Sequence, residues 1–286
     1  MATASILRTS KLEKSKSPTR NQHFSPVKST ASRPIMTESV EEALKNVLNM
    51  MEQAGFRINR EVEVVVDEKL PFMGYTSRQW QRHVIVVSGF ALKSPMLEGL
   101  LAHELSHIYR TITDHPSHSE RLIASLAHSF IDSHKLDRDY EQEILHQAIN
   151  HIQDLYADDI AIKVLAAHHG IAPRLEQLGE FFSGWIKEEP ARSGARRKDQ
   201  WINASILLNN SFAISNMKRH RIAEGWIEKA KLSNDRFLNQ IKPSAAMQFS
   251  YFNKFMVALR EDISEAEFHK QMKEYLGDFL DVVDNI

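Results

Sequence analysis

The chain has 286 residues, 42% of them hydrophobic, with 36 basic against 37 acidic side chains and no cysteine. That is enough apolar material for a sizeable core, in one large domain or two small ones. The balanced charge excludes a nucleic-acid footprint spread over the chain, and the missing cysteines exclude both a disulfide framework and a thiolate metal site. Residues 1–35 are rich in Ser, Thr, Lys, Arg and Pro, with Glu13 the only acid. This composition predicts a disordered basic tail without a catalytic role, and an organellar transit peptide is the sharper alternative. A helix is expected from Thr37 to Gly55, capped by Thr37 or Ser39 and closed by Gly55. The β-branched run Glu61–Asp67 predicts a strand, Pro71 to Ser77 a turn region, and Arg82–Ser88 a second strand. A helix capped by Ser94, with Pro95 at its first position, then runs to about Arg110. A linker at Thr113 to Ser117 leads to helices over about 118–133 and Asp137–Ala167, the latter stopped by Gly170. Beyond it, apolar residues three and four apart predict helices near 172–187, 198–217, 219–231, 244–261 and 264–284. Between the first two of these, Glu189 to Lys198 reads as a solvated basic loop. No run approaches 18 apolar residues, so no membrane-spanning helix is expected.

The most informative segment is His103-Glu104-Leu105-Ser106-His107. On a helix, residues four apart lie one above the other, so the two imidazoles can hold one zinc ion. Leu97, Leu101, Leu105 and Ile108 form the core stripe of that helix. His103 and His107 lie on a different stripe, in line with Met96 and Leu100. Zinc lowers the pKa of a water it binds to about 7, and Glu104 can serve as general base toward that water.

A catalytic zinc usually takes a third protein ligand. The later helix offers His151, Asp154 and Asp158 on one face at spacings of three and four, with Asp159 beside them. Ile152, Leu155, Tyr156, Ile160 and Val164 point mostly to the opposite, core-directed side. A carboxylate from the first face can complete the site, and the next one along can orient a ligand imidazole. His151 would instead give a three-histidine site, and Asp159 reads best as a solvated acid.

Residues 60–165 resemble the gluzincin metallopeptidases that include the CAAX prenyl proteases and the bacterial heat-shock membrane proteases. The resemblance rests on Ile85-Val-Val-Ser-Gly89, on Leu97 to His107, and on Asp154-Leu-Tyr-Ala-Asp158. It implies a zincin-like core with a small sheet, placed over 36–170, and the apolar periodicity adds an all-helical region over 171–286 packed on it, so the expected fold is α+β and mostly helical. The resemblance also implies Zn2+ held by His103, His107 and Asp154, with Asp158 orienting a ligand histidine and Glu104 as general base. Two features depart from the family. Asp154 stands where the family has glutamate, and the family's membrane-spanning segments are missing.

The resulting expectation is a cytoplasmic zinc metallopeptidase, an endopeptidase rather than an exopeptidase, acting on a peptide or protein. An extended substrate would pair with a free edge of the 83–88 strand. Tyr75, Tyr109, His115, His118, Arg219 and His220 are candidate donors to an oxyanion. The aromatic groups Phe181-Phe182-Trp185 and Phe249-Tyr251-Phe252-Phe255 read as helix-packing core. The alternative expectation is a catalytically inactive zincin-fold binding or regulatory protein that uses its helical C-terminal half as an interaction surface. The intact Glu104 argues against it. A third reading is a helical scaffold without metal.

Overall fold

A computed structural model describes residues 34–79, 82–169 and 172–286. Almost all of the basic tail, and the helix-stopping Gly170, lie outside the described residues. Helix α1 (Pro34–Gln53) begins three residues before the expected cap at Thr37, so Thr37 and Ser39 fall inside it. Gly55 ends the helical run with φ +87°, and the amide of Phe56 closes back on the Met51 carbonyl at 2.8 Å. A left-handed residue of this kind is easiest for glycine, which carries no Cβ.

Three strands follow: β1 (Val62–Asp67), β2 (Gly74–Gln79) and β3 (Arg82–Ser88). Their order is β1-β3-β2, with β1 parallel and β2 antiparallel to β3. This corrects two expectations. The segment expected as a turn carries the strand β2, and β3 is the central strand rather than an edge. The sequence of β3 has a physical reason for that place. His83, Val84, Ile85 and Val87 are all buried, as in a strand covered on both faces. β2 ends in an unbroken polar run, Thr76, Ser77, Arg78 and Gln79, which hides its strand character.

Helix α2 (Leu97–Ile112) carries the H-E-x-x-H residues. It starts two residues later than expected. The Ser94 hydroxyl accepts the amide of Met96, and Met96 rather than Ser94 stands at the cap position. A short 3-10 turn (Pro116–His118) then leads into α3 (Glu120–His134), capped by Ser119, and α4 (Asp139–His169). The remaining chain is helical: α5 (Ala172–Ser183), α6 (Arg196–Arg219), α7 (Glu224–Leu238), α8 (Pro243–Ala258) and α9 (Glu265–Asn285). α5 ends earlier than its apolar pattern suggests, and α7 begins five residues later. The expected basic loop is shortened because Arg196 and Arg197 belong to α6. Arg197 is held by Glu141 and Asp284, while Asp199 accepts the amides of Ser193 and Gly194.

The fold is thus α+β and mostly helical, with a small sheet. Two apolar cores meet along α4. One joins α1, β3 and α2 through Val47, Met51, Ile85, Leu101, Leu105 and Ile108 to Ile160 and Val164 of α4. The other joins α3 and α5–α9, around Trp201, Phe212, Phe237, Phe252 and Phe279, to Leu145, Ile152 and Leu155 of α4. Both faces of α4 are therefore covered, and between His151 and Leu165 only Lys163 is exposed. Arg110 of α2 spans the seam. Its guanidinium is 2% exposed, donates to the Tyr156 carbonyl oxygen at 2.9 and 3.1 Å, and pairs with the Glu261 carboxylate between α8 and α9.

The sheet meets α2 closely at Gly74. A Cβ there would lie 2.8 Å from the Val86 carbonyl oxygen and 3.3 Å from Leu100. Gly74→Ala is expected to destabilise the protein by about 1–3 kcal/mol by forcing β2, β3 and α2 apart, as overpacking does. Denaturant unfolding of the two proteins measures it.

Candidate metal centre

The site forms where α2 packs on α4. Helical spacing puts His103 and His107 on one face of α2, and α4 brings Asp154 opposite them. The two Nε2 atoms are 3.0 Å apart, and Asp154 Oδ1 lies 3.3 Å from His107 Nε2 and 3.8 Å from His103 Nε2. Vertices of a tetrahedron around zinc, with bonds of about 2.0–2.1 Å, are separated by about 3.3–3.4 Å. The three atoms therefore match one face of such a tetrahedron. Among the described residues, these three form the cluster of His and carboxylate groups close enough to share an ion. The shorter aspartate reaches the imidazoles because α2 and α4 approach closely.

Two nitrogen lone pairs 3.0 Å apart repel, so either a hydrogen carried by one of the two rings or a metal ion belongs between them. The surroundings favour positive charge. Burial alone would lower the pKa of His103, but the carboxylates of Asp158, Asp154 and Glu104 outweigh it and push it up to about 9. The same negative field attracts a divalent cation.

Each imidazole is held from behind. His103 Nδ1 donates to Asp158 Oδ1 at 2.7 Å, and Asn216 Nδ2 of α6 donates to Asp158 Oδ2 at 2.5 Å. His107 Nδ1 lies 2.7 Å from His118 Nε2. Glu104 is buried on the strand side of α2, where Thr76 Oγ1 of β2 donates to its Oε2 at 2.7 Å. Beyond His118 a polar cleft of about 340 Å³ opens between Arg78 at the end of β2, Thr111 and Asp114 after the motif, and Glu120 of α3.

The other expected residues have different places. His151 stacks on Phe212 with ring centroids 4.9 Å apart, and its buried Nδ1 has no hydrogen-bond partner. Burial lowers its pKa to about 4 against the opposing charge of Asp154, so it is neutral at pH 7. Asp159, read as solvated, forms a bidentate pair with Arg219 at 2.6 Å. Among the candidate oxyanion donors, Arg219 is committed to Asp159 and to the Leu259 carbonyl, and Tyr109 packs edge-on against Phe56. Tyr75 packs against Phe72. His220 is partly buried, with its Nε2 3.5 Å from Asp159 Oδ1. His115 and His118 stand behind His107. Phe182 and Phe252 are buried in the helical core, while Phe181 reaches the surface.

Sequence reasoning missed three contributors: Thr76, Asn216 and His118 as the partner of His107. Thr76 and Asn216 carry no motif. His118 had a faint signal, a histidine eleven residues past His107 and just after Pro116.

Fold and site together define a mostly helical α+β protein with a two-helix candidate metal centre. The chain belongs to a family of unknown function (DUF5781), which matches residues 36–280. No curated protein and no solved structure matches it.

The geometry separates the candidate third ligands. Asp154→Ala is expected to weaken divalent-metal binding by more than the roughly 10–100-fold typical of changes behind a ligand, and His151→Gln to leave it within about threefold. Isothermal titration with zinc compares them.

Proposed function

We propose that this protein is a zinc metallopeptidase with a zincin-like core. Zinc would be held by His103, His107 and Asp154, with Asp158 orienting His103. The observation that carries the reading is the convergence of two Nε2 atoms and one carboxylate oxygen at separations suited to a single ion, with the Glu104 carboxylate on the adjacent residue. When bound there, zinc supplies Lewis-acid polarisation of a carbonyl and a water acidic enough to react at neutral pH.

The protein's own groups do the rest. The Glu104 carboxylate takes a proton from the attacking water and delivers it to the leaving nitrogen. Thr76 Oγ1 steadies the carboxylate at Oε2, so the base comes from α2 and its support from the sheet. The substrate strand is assigned to β2, the outer strand of the sheet, in place of the central β3. A peptide hydrogen-bonded along the open edge of β2 would lie beside Thr76 and hence beside Glu104. Arg78, two residues further along the same strand, borders the polar cleft and gives such a peptide a polar pocket for a side chain. Among the described residues no helix is long and apolar enough to cross a membrane. The proposed substrate is an extended peptide.

Glu104→Gln keeps the shape of the site and removes the proton acceptor. Zinc stoichiometry should be unchanged, while hydrolysis of a quenched fluorescent peptide library falls by at least about 10²–10⁴-fold, the usual contribution of a general base. Unchanged turnover in this variant would overturn the mechanism. Zinc binding by the wild type with no cleavage of the library would favour a binding protein.

A further inference from the structure

The hydrogen bonds behind His107 run further than one partner. His107 Nδ1 meets His118 Nε2 at 2.7 Å, and His118 Nδ1 meets Ser117 Oγ at 2.7 Å. Ser117 Oγ meets His115 Nδ1 at 2.8 Å, and His115 Nε2 meets the Glu261 carbonyl oxygen at 3.1 Å. The direction of this chain is dictated from its far end. A backbone carbonyl only accepts, so His115 Nε2 carries a hydrogen. Burial and the nearby Arg110 lower the pKa of His115 and keep the ring neutral, so its Nδ1 is an acceptor. The Ser117 hydroxyl then donates to it, and the Ser117 amide points to the same nitrogen at 3.3 Å. Ser117 Oγ accepts from His118 Nδ1, and in a neutral imidazole this leaves His118 Nε2 as acceptor and makes His107 Nδ1 the donor. The last consequence reaches the site: His107 Nε2 presents its lone pair toward Asp154 and His103.

We propose that His118 is the positioning residue of His107, and that the one-way chain His107–His118–Ser117–His115–Glu261 carbonyl sets the tautomer and ring orientation of this ligand before any metal arrives. The inference rests on the metal-site reading above. It assigns the two histidines different support. His103 leans on the carboxyl group of Asp158, whereas His107 leans on an imidazole, so the site gains no further buried acid on that side. Its anchor is backbone in the connection between α8 and α9. Glu261 is itself pinned by Arg110 of α2, so the ligand helix and the anchor of its second histidine are clamped together.

The test uses full-length protein, with zinc affinity measured by competition against a chromophoric chelator and the visible spectrum of the cobalt(II) form. His118→Ala should weaken zinc by about 10–100-fold and change the cobalt spectrum, as loss of a ligand's hydrogen-bond partner does. His118→Gln, whose Oε1 can accept from His107 Nδ1, should recover most of the affinity. Ser117→Ala should produce a smaller loss. His118→Ala with wild-type affinity and spectrum overturns the proposal. So does a lowered melting temperature of the metal-free protein with unchanged affinity of the folded form, which marks plain packing. A wild type that binds no zinc overturns both this proposal and the peptidase. The expected His118→Ala loss in a wild type that cleaves no peptide supports the chain while overturning the peptidase alone.

Discussion

The structure is organised around the burial of charge between α2 and α4. Two imidazoles and the carboxylates of Glu104, Asp154 and Asp158 sit within one seam, and all of these residues except His103 are nine-tenths or more buried. An isolated ionised carboxylate in such surroundings costs several kcal/mol unless it is paired or hydrogen-bonded. Much of the architecture answers that requirement. Thr76 comes from the sheet to Glu104, Asn216 from α6 to Asp158, and His118 from the turn before α3 to His107. The excess of carboxylates still leaves the seam negative, which is why His103 holds its proton so firmly and why a dication suits the same place.

This requirement also explains the helical C-terminal region. α4 cannot present Asp154 and Asp158 to α2 on one face and remain solvated on the other, because Ile152, Leu155 and Tyr156 need cover. The helices α6 and α9 provide most of it, and the C-terminal region contributes polar contacts at the seam as well. Asn216 steadies Asp158, Arg219 neutralises Asp159, and the segment between α8 and α9 receives both Arg110 and His115. The region is thus continuous with the candidate site rather than an appendage to it.

The sheet plays a narrower part. Its central strand β3 is largely apolar and mostly buried, and serves as a wall for α1 and α2. Its outer strand β2 is polar and touches Glu104. In the proposed peptidase, recognition therefore falls to the strand with the weaker sequence signal. A buried strand must be apolar on both faces, whereas a strand that meets a substrate and a catalytic carboxylate can afford Thr, Ser, Arg and Gln.

The sequence by itself determined whatever depends on local periodicity. A spacing of four puts His103 and His107 on one helix face, and a spacing of four puts Asp154 and Asp158 on another; apolar periodicity located the helices to within a few residues, except at the start of α7 and the end of α5. Gly55 also ends α1 as glycine's freedom at positive φ allows. Only the tertiary structure decided what depends on residues far apart in the chain. It made β3 central and β2 a strand, because strand order is set by pairing between segments. It put Asp154 rather than His151 within reach of the imidazoles, because the angle between two packed helices is not written in either one. It brought Thr76, Asn216, His118 and the Glu261 carbonyl behind the site for the same reason: a buried hydrogen bond is satisfied by whichever group the fold delivers, and sequence spacing holds no record of that delivery.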